Sequence, residues 1–208
     1  APPAEPGTIP TVLDAVYAPL RLNGQPLWHA AALDSAFVLH SPNKALGLTG
    51  IRGAYAVAPR RAAYDVEACC RALEAAAPSW PLSAQAEGML LSWATPEVQA
   101  WVSRSRTTLA RWKRALQRLL AERGFTVRAS VTPFFVVHPP ESCRPAALRQ
   151  TLRSQDVAIR DAGSFGLPGC WRVSAQPPDA QDALLQALDN ALDAARDTAF
   201  DAPPGGPR

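Results

Sequence analysis

The spacing of apolar residues changes along the chain, and that change divides it into pieces. Short, mostly apolar runs stand at Ile9–Asp14, Ser35–Leu39 and Gly53–Ala58. Runs of this length, apolar on both faces, predict strands of a mostly parallel sheet. Between Asp65 and Ala77, residues Val66, Cys69, Cys70 and Leu73 recur at helical spacing, after which Pro78 and Pro81 interrupt the pattern. Pro96 to Arg123 reads as one long helix, with Trp101, Leu109, Trp112, Leu116, Leu119 and Leu120 on a stripe and Gly124 as its stop. Its other face carries Arg104, Arg106, Arg111, Lys113, Arg114 and Arg118, a set expected to face solvent.

Beyond Gly124 the pieces become shorter. Phe125–Val131, Phe134–Val137, Val157–Arg160 and Cys170–Ser174 predict strands, and Pro145–Arg153 predicts a helix. A last helix over Asp179–Ala195 sets Leu184, Leu188, Ala191 and Leu192 on one face. The expected fold class is α/β: a first part over residues 1–95, a connecting helix over 96–123, and a compact α+β lobe over 124–208. The Pro- and Gly-rich tail, 201–208, is expected to fray.

Composition narrows the function classes. With 208 residues, 48% hydrophobic and 19% charged, the chain is an ordinary globular protein with room for one sizeable core or two lobes. It has no apolar run long enough to span a membrane. Ala1–Gly7 lacks the basic start and apolar middle of a signal peptide, while the cysteine usage, without any CxxC pair, makes a reducing cytoplasm the expected location. A net charge of +3 does not call for a polyanion, and no aromatic residues interleave the arginine face as a base-stacking platform requires, so no nucleic-acid partner is expected. Cys69, Cys70, Cys143 and Cys170 form no CxxC pair, and His29, His40 and His138 stand singly; no metal site is expected. The basic residues are nearly all arginine, the only lysines being Lys44 and Lys113.

That scarcity directs attention to the stretch from Phe37 to Tyr55. A predicted strand delivers Ser41 and Lys44 onto a glycine-containing loop, and Arg52 follows at the start of the next strand. A Schiff base needs a primary amine that can lose its proton, which arginine cannot supply. A hydroxyl and a guanidinium suit a phosphate. Serine stands three before Lys44, glycine three after it and arginine eight after it; the plainer reading of these residues is a surface-loop lysine and a strand-end ion-pair partner. This segment resembles the cofactor-lysine segment of the fold-type-I aminotransferases that use pyridoxal 5'-phosphate (PLP), in the branch containing histidinol-phosphate aminotransferase and threonine-phosphate decarboxylase.

The resemblance implies part of the PLP-transferase large domain, a mostly parallel sheet with helices, followed by an α+β small domain. It implies that Lys44 holds PLP through a Schiff base and then moves the substrate's Cα proton, while Ser41 and Arg52 bind the phosphate. Asp14-Ala15-Val16-Tyr17 resembles the family's Asp-x-x-Tyr; Asp14 would pair with the pyridine nitrogen and Tyr17 with the ring's phenolic oxygen. Downstream, Arg172 would clamp the substrate carboxylate. Arg160 would contact a distal phosphate or, on the alternative reading, form a structural ion pair with Asp161 or a neighbour.

The likeness covers residues 8 to 195 and only the later part of a family member. The family's Gly-rich phosphate turn, stacking aromatic and ring-side asparagine have no counterpart before Asp14. Asn43 stands where serine is common, and Thr132-Pro133 replaces a frequent asparagine-containing strand start. The activity implied is amino transfer from a small amino substrate, such as histidinol phosphate, to a 2-oxo acid, by a homodimer in the full-length form. Decarboxylation of threonine phosphate is the alternative within the family, and a non-catalytic fragment of the fold is the alternative outside it.

Overall fold

The computed structural model describes residues 9–200, with side chains described through residue 194. Residues 1–8 and the tail at 201–208 lie outside the described residues. The chain falls into two compact units, divided between Arg106 and Thr107.

In the first unit, β1 (Val12–Asp14), β2 (Phe37–His40) and β3 (Tyr55–Val57) form a sheet in the order β1-β2-β3. β1 and β2 run parallel, with Asp14 beside Leu39. β2 and β3 run antiparallel, with His40 beside Tyr55. The expected mostly parallel sheet therefore holds for one pairing and fails for the other. The cause lies in the link between β2 and β3. Ser41 Oγ donates to the Gly53 carbonyl at 2.6 Å, fastening the two ends of that link and turning the chain back alongside β2. A parallel partner would need a crossover carried over the sheet.

Three helices accompany this sheet: α1 (Ala30–Asp34), α2 (Val66–Ala76) and α3 (Ala84–Trp93). Side chains cap all three: His29 Nδ1 accepts from Ala32 N at 3.1 Å on α1, Asp65 Oδ1 accepts from Ala68 N at 2.9 Å on α2, and Ser83 Oγ accepts from Ala86 N at 3.2 Å on α3. α3 packs closely on Gly53, where a Cβ would lie 3.0 Å from both Ala86 Cβ and Met89 Cε and would push them back by a few tenths of an ångström. The sequence pattern predicts neither α1 nor α3. One has five residues, and the other clusters Met89, Leu90, Leu91 and Trp93 instead of spacing its apolar residues at three and four.

The long helix α4 (Pro96–Glu122) matches the expected span, but its buried stripe is rotated. Val102, Lys113, Leu116 and Leu120 are buried, whereas Trp101 is 45% exposed. Lys113, expected on the solvated face, is only 5% exposed and donates to the Ser130 carbonyl. Its spacing explains the correction, since 113, 116 and 120 follow the i, i+3, i+7 rule of one helix face. Burial pulls the Lys113 pKa down. Arg106 is likewise drawn in and donates to the Arg21 carbonyl.

In the second unit, β4 (Thr126–Val127), β5 (Phe134–His138), β6 (Arg160–Asp161) and β7 (Trp171–Ser174) form an antiparallel sheet in the order β4-β5-β7-β6. Side chains alternate across it. Phe135, Val137, Trp171 and Val173 point into the core. There they meet Leu116 and Leu120 of α4, Leu148 and Leu152 of α5 (Pro145–Arg153), and Leu185, Leu188 and Leu192 of α6 (Pro178–Phe200). Each such side chain contributes about 1.5–3 kcal/mol by leaving water. Arg123, just past α4, forks onto Asp189 of α6 at 2.6 and 2.7 Å. That pairing raises the Arg123 pKa and lowers that of Asp189. No helix among the described residues is long and apolar enough to cross a membrane.

Candidate active site

Two groups of the expected site residues take shape, one in each unit. In the first unit the parallel pairing of β1 and β2 puts both carboxyl ends on one side of the sheet, the edge where open α/β sheets bind ligands. Asp14 ends β1, and Tyr17 opens the short 3-10 turn Ala18–Leu20 that follows. Ser41 and Lys44 follow β2 directly. The result is a contact across the strand ends: Lys44 Nζ lies over the Tyr17 ring, 5.1 Å from its centroid. Both residues are exposed, as is Asp14. Asp14 Oδ1 accepts from the Val16 N–H at 2.9 Å, which leaves its other oxygen for a ligand.

The Lys44 loop is held from beneath by a residue whose role the sequence did not reveal. Asn43 is buried. Its Oδ1 lies 3.0 Å from Ser41 Oγ, and its Nδ2 donates to the Ile51 carbonyl at 3.4 Å. The departure from the family's usual serine thus has a structural use: the amide spans from the start of the loop to its far side. Ser41 has a single hydroxyl proton and two acceptors near it, Gly53 O and Asn43 Oδ1, so that proton must turn to meet a phosphate. Arg52 is exposed and lines a cavity of about 570 Å³ with Gly50, Trp80 and Ser83. A primary amine, a carboxylate, a phenol and a guanidinium along strand ends and their loop fit the aldehyde, pyridine nitrogen, phenolic oxygen and phosphate of PLP. Among the described residues there is no cluster of His, Cys, Asp or Glu that could hold a metal.

In the second unit, Arg160 and Arg172 stand directly opposite each other on β6 and β7. Both therefore point to the sheet face away from the core, and both are exposed. Together with Phe134, Ser174 and Gln176 they line a cavity of about 380 Å³. The alternative role for Arg160, an ion pair with Asp161, is not what forms. Adjacent strand residues face opposite sides, and Asp161 instead pairs with Arg149 and accepts from the Gly163 N–H at 2.8 Å. These contacts lower the Asp161 pKa, the Gly163 N–H most, with Arg149 and then the charge of Arg160 adding to it. Arg160 Nη2 donates instead to Ser164 Oγ at 3.3 Å.

Phe165, on the Gly163–Phe165 turn between the two strands, joins this group of side chains, a placement that sequence reasoning passed over. Its ring centroid lies 5.5 Å from the Arg160 guanidinium and 5.5 Å from that of Arg172. A second ring, Phe134, lies 5.4 Å from Arg172.

Comparison with known proteins identifies the family. The family model described as aminotransferase class I and II matches residues 7–188. A histidinol-phosphate aminotransferase of Rhodospirillum centenum is 28% identical over 187 residues, covering 87% of this chain and 49% of that protein. The solved histidinol-phosphate aminotransferase of Sinorhizobium meliloti, in complex with pyridoxal-5'-phosphate, superposes with a TM-score of 0.72 at 21% identity over 91% of this chain and 50% of its own. L-threonine-O-3-phosphate decarboxylase of Porphyromonas gingivalis gives a TM-score of 0.70 at 22% identity over 88% of this chain and 55% of its own. The chain spans about half the length of the curated relatives it matches. The match over most of its residues, on the fold just described, shows that the chain belongs to the class I and II aminotransferase family.

Proposed function

We propose that this chain is part of a PLP-dependent aminotransferase that acts on an amino acid or amino-phosphate, such as histidinol phosphate, with a 2-oxo acid as the acceptor. The observation that carries the reading is Lys44 Nζ over the Tyr17 ring at the carboxyl ends of a parallel strand pair. Lys44 holds the cofactor through its primary amine and later moves the proton at the substrate's Cα. Bound PLP supplies an electron-accepting ring that takes up the charge left when a bond to Cα breaks. Asp14 keeps the proton on the pyridine nitrogen, and the Tyr17 hydroxyl donates to the ring oxygen. Ser41 and Arg52 hold the phosphate, the arginine through its forked N–H groups. Arg172 holds the substrate carboxylate and Arg160 a distal phosphate. The full-length protein is expected to work as a homodimer in the cytoplasm on small-molecule substrates, like the family it belongs to.

A phosphate-reading Arg160 suits decarboxylation of threonine phosphate as well, and that is the second reading. The two reactions share every residue named and differ in which bond to Cα is broken.

The test is a PLP titration of the chain followed by absorbance, alongside Lys44→Ala. The wild-type chain should show a saturable cofactor band, and Lys44→Ala should lose it. Because Lys44 is exposed, both should melt within about 0.5 kcal/mol of each other. Equal bands in the two proteins would contradict the assignment.

A further inference from the structure

On the outer face of the second unit's sheet, two guanidinium groups occupy positions that should repel. Arg160 and Arg172 are directly paired across β6 and β7, and like charges so placed destabilise a strand pair. Among the described residues neither has a carboxylate within ion-pair reach. Asp161, the nearest candidate in sequence, is engaged by Arg149 on the other side. What stands beside both charges is aromatic. Phe134, Arg172, Phe165 and Arg160 follow one another as ring, guanidinium, ring, guanidinium, each neighbouring pair 5.4 to 5.5 Å apart. One ring, Phe165, serves both arginines.

The turn that presents Phe165 is built to do so. Phe165 N–H donates to the Ala162 carbonyl at 2.9 Å, and Gly163 N–H donates to Asp161 Oδ1 at 2.8 Å. Glycine at residue 163 leaves room for that contact, since a Cβ would lie 2.7 Å from the same oxygen and turn the carboxylate aside. Phe165 nevertheless remains 53% exposed, so burial of its ring does not account for the arrangement. A ring attracts a guanidinium while leaving its N–H edge able to fork onto an anion.

We propose that Phe165 is a positioning residue that holds Arg160 and Arg172 side by side as one paired receptor for a ligand with two anionic groups. This rests on the reading of the two arginines as substrate anchors given above. It adds that their joint action, and hence the preference for a carboxylate-plus-phosphate ligand over a carboxylate alone, depends on the shared ring.

The experiment is an NMR titration of the arginine side-chain N–H signals in the intact chain, using O-phosphoserine and L-serine as probes. It compares wild type, Phe165→Leu and Phe165→Tyr. In the free wild-type chain, the side-chain protons of both arginines should show ring-current shifts, which Phe165→Leu removes and Phe165→Tyr retains. Phe165→Leu should weaken O-phosphoserine binding about tenfold, equivalent to roughly 1.4 kcal/mol, and change L-serine binding less than about twofold, a difference of roughly 0.4 kcal/mol. Phe165→Tyr should restore the wild-type value. Unchanged O-phosphoserine affinity in Phe165→Leu, or equal losses for both probes, would overturn the positioning role. A wild-type chain whose Arg160 and Arg172 signals ignore O-phosphoserine would instead overturn the anchor reading, and the paired receptor with it. The ligand-free ring-current shifts separate these two failures.

Discussion

Val137 and Val57 are both valines on antiparallel strands, yet the first is 0% exposed and the second 49%. The contrast holds for the sheets around them. In the second unit one sheet face is paved by residues from three helices, and its core includes Phe135, Leu152 and Trp171. In the first unit β1 and β3 are three-residue strands with Val12 and Tyr55 exposed, and α2 has no buried residue. The two candidate groups therefore stand on different foundations. Arg160 and Arg172 are displayed by strands whose other side is packed core. Lys44 is placed by local hydrogen bonds, chiefly those of Ser41 and Asn43 that tie its loop to Gly53 and Ile51. Position is fixed by packing in one unit and by polar stitching in the other.

The largest way to break this contrast is to remove the centre of the packed side. Trp171 is almost wholly buried, its ring 5.7 Å from that of Phe125. Trp171→Ala should cost about 3–5 kcal/mol, read by chemical denaturation. In hydrogen exchange, β5 and β7 amides should lose protection while those of β1 and β2 change little. Uniform loss across both sheets would show that the two units do not differ as described.

A smaller effect sharpens the same point. Arg123 and Asp189 join the end of α4 to α6 by a two-pronged contact, with about half of the Asp189 side chain exposed. Solvent discounts such a pair, so Asp189→Asn should cost about 0.5–1 kcal/mol. Because folding lowers the Asp189 pKa, its contribution is complete above the unfolded value, about 3.9. It is lost as pH falls through the lower folded value. The difference in stability between wild type and Asp189→Asn, measured from neutral pH into that acid range, should shrink toward zero. A gap that stays constant with pH would remove the pair from the account.

Much of this was legible in the sequence where one signal dominated. Helical spacing locates α2, α4, α5 and α6 because each combines an apolar stripe with proline or a capping residue at its start. It missed α3, whose apolar residues are contiguous, and misjudged Lys113, where charge outweighed the spacing to Leu116 and Leu120. The antiparallel turn of β3 was hidden because strand direction is set by how the link closes, through Ser41 and Gly53, and not by the strand's own residues. Lys44 and Tyr17 were named through the family resemblance of their segments, and the parallel β1–β2 pairing explains why they meet. Phe165 was not legible as a site residue: an aromatic in a glycine-rich turn carries no signal until the strands on either side place both arginines beside it.

The central claim is that Lys44 is the amine that takes the cofactor, and this chain offers an internal control for it. There are two lysines in the sequence; Lys44 is exposed beside Tyr17, whereas Lys113 is buried and donates to the Ser130 carbonyl. Treating the chain with PLP, fixing the attachment with borohydride and mapping the peptides by mass spectrometry reads the choice directly. The account predicts a pyridoxyl label on Lys44, with Lys113 unmodified. A label on Lys113 or on the chain's α-amine, with Lys44 left free, would contradict it.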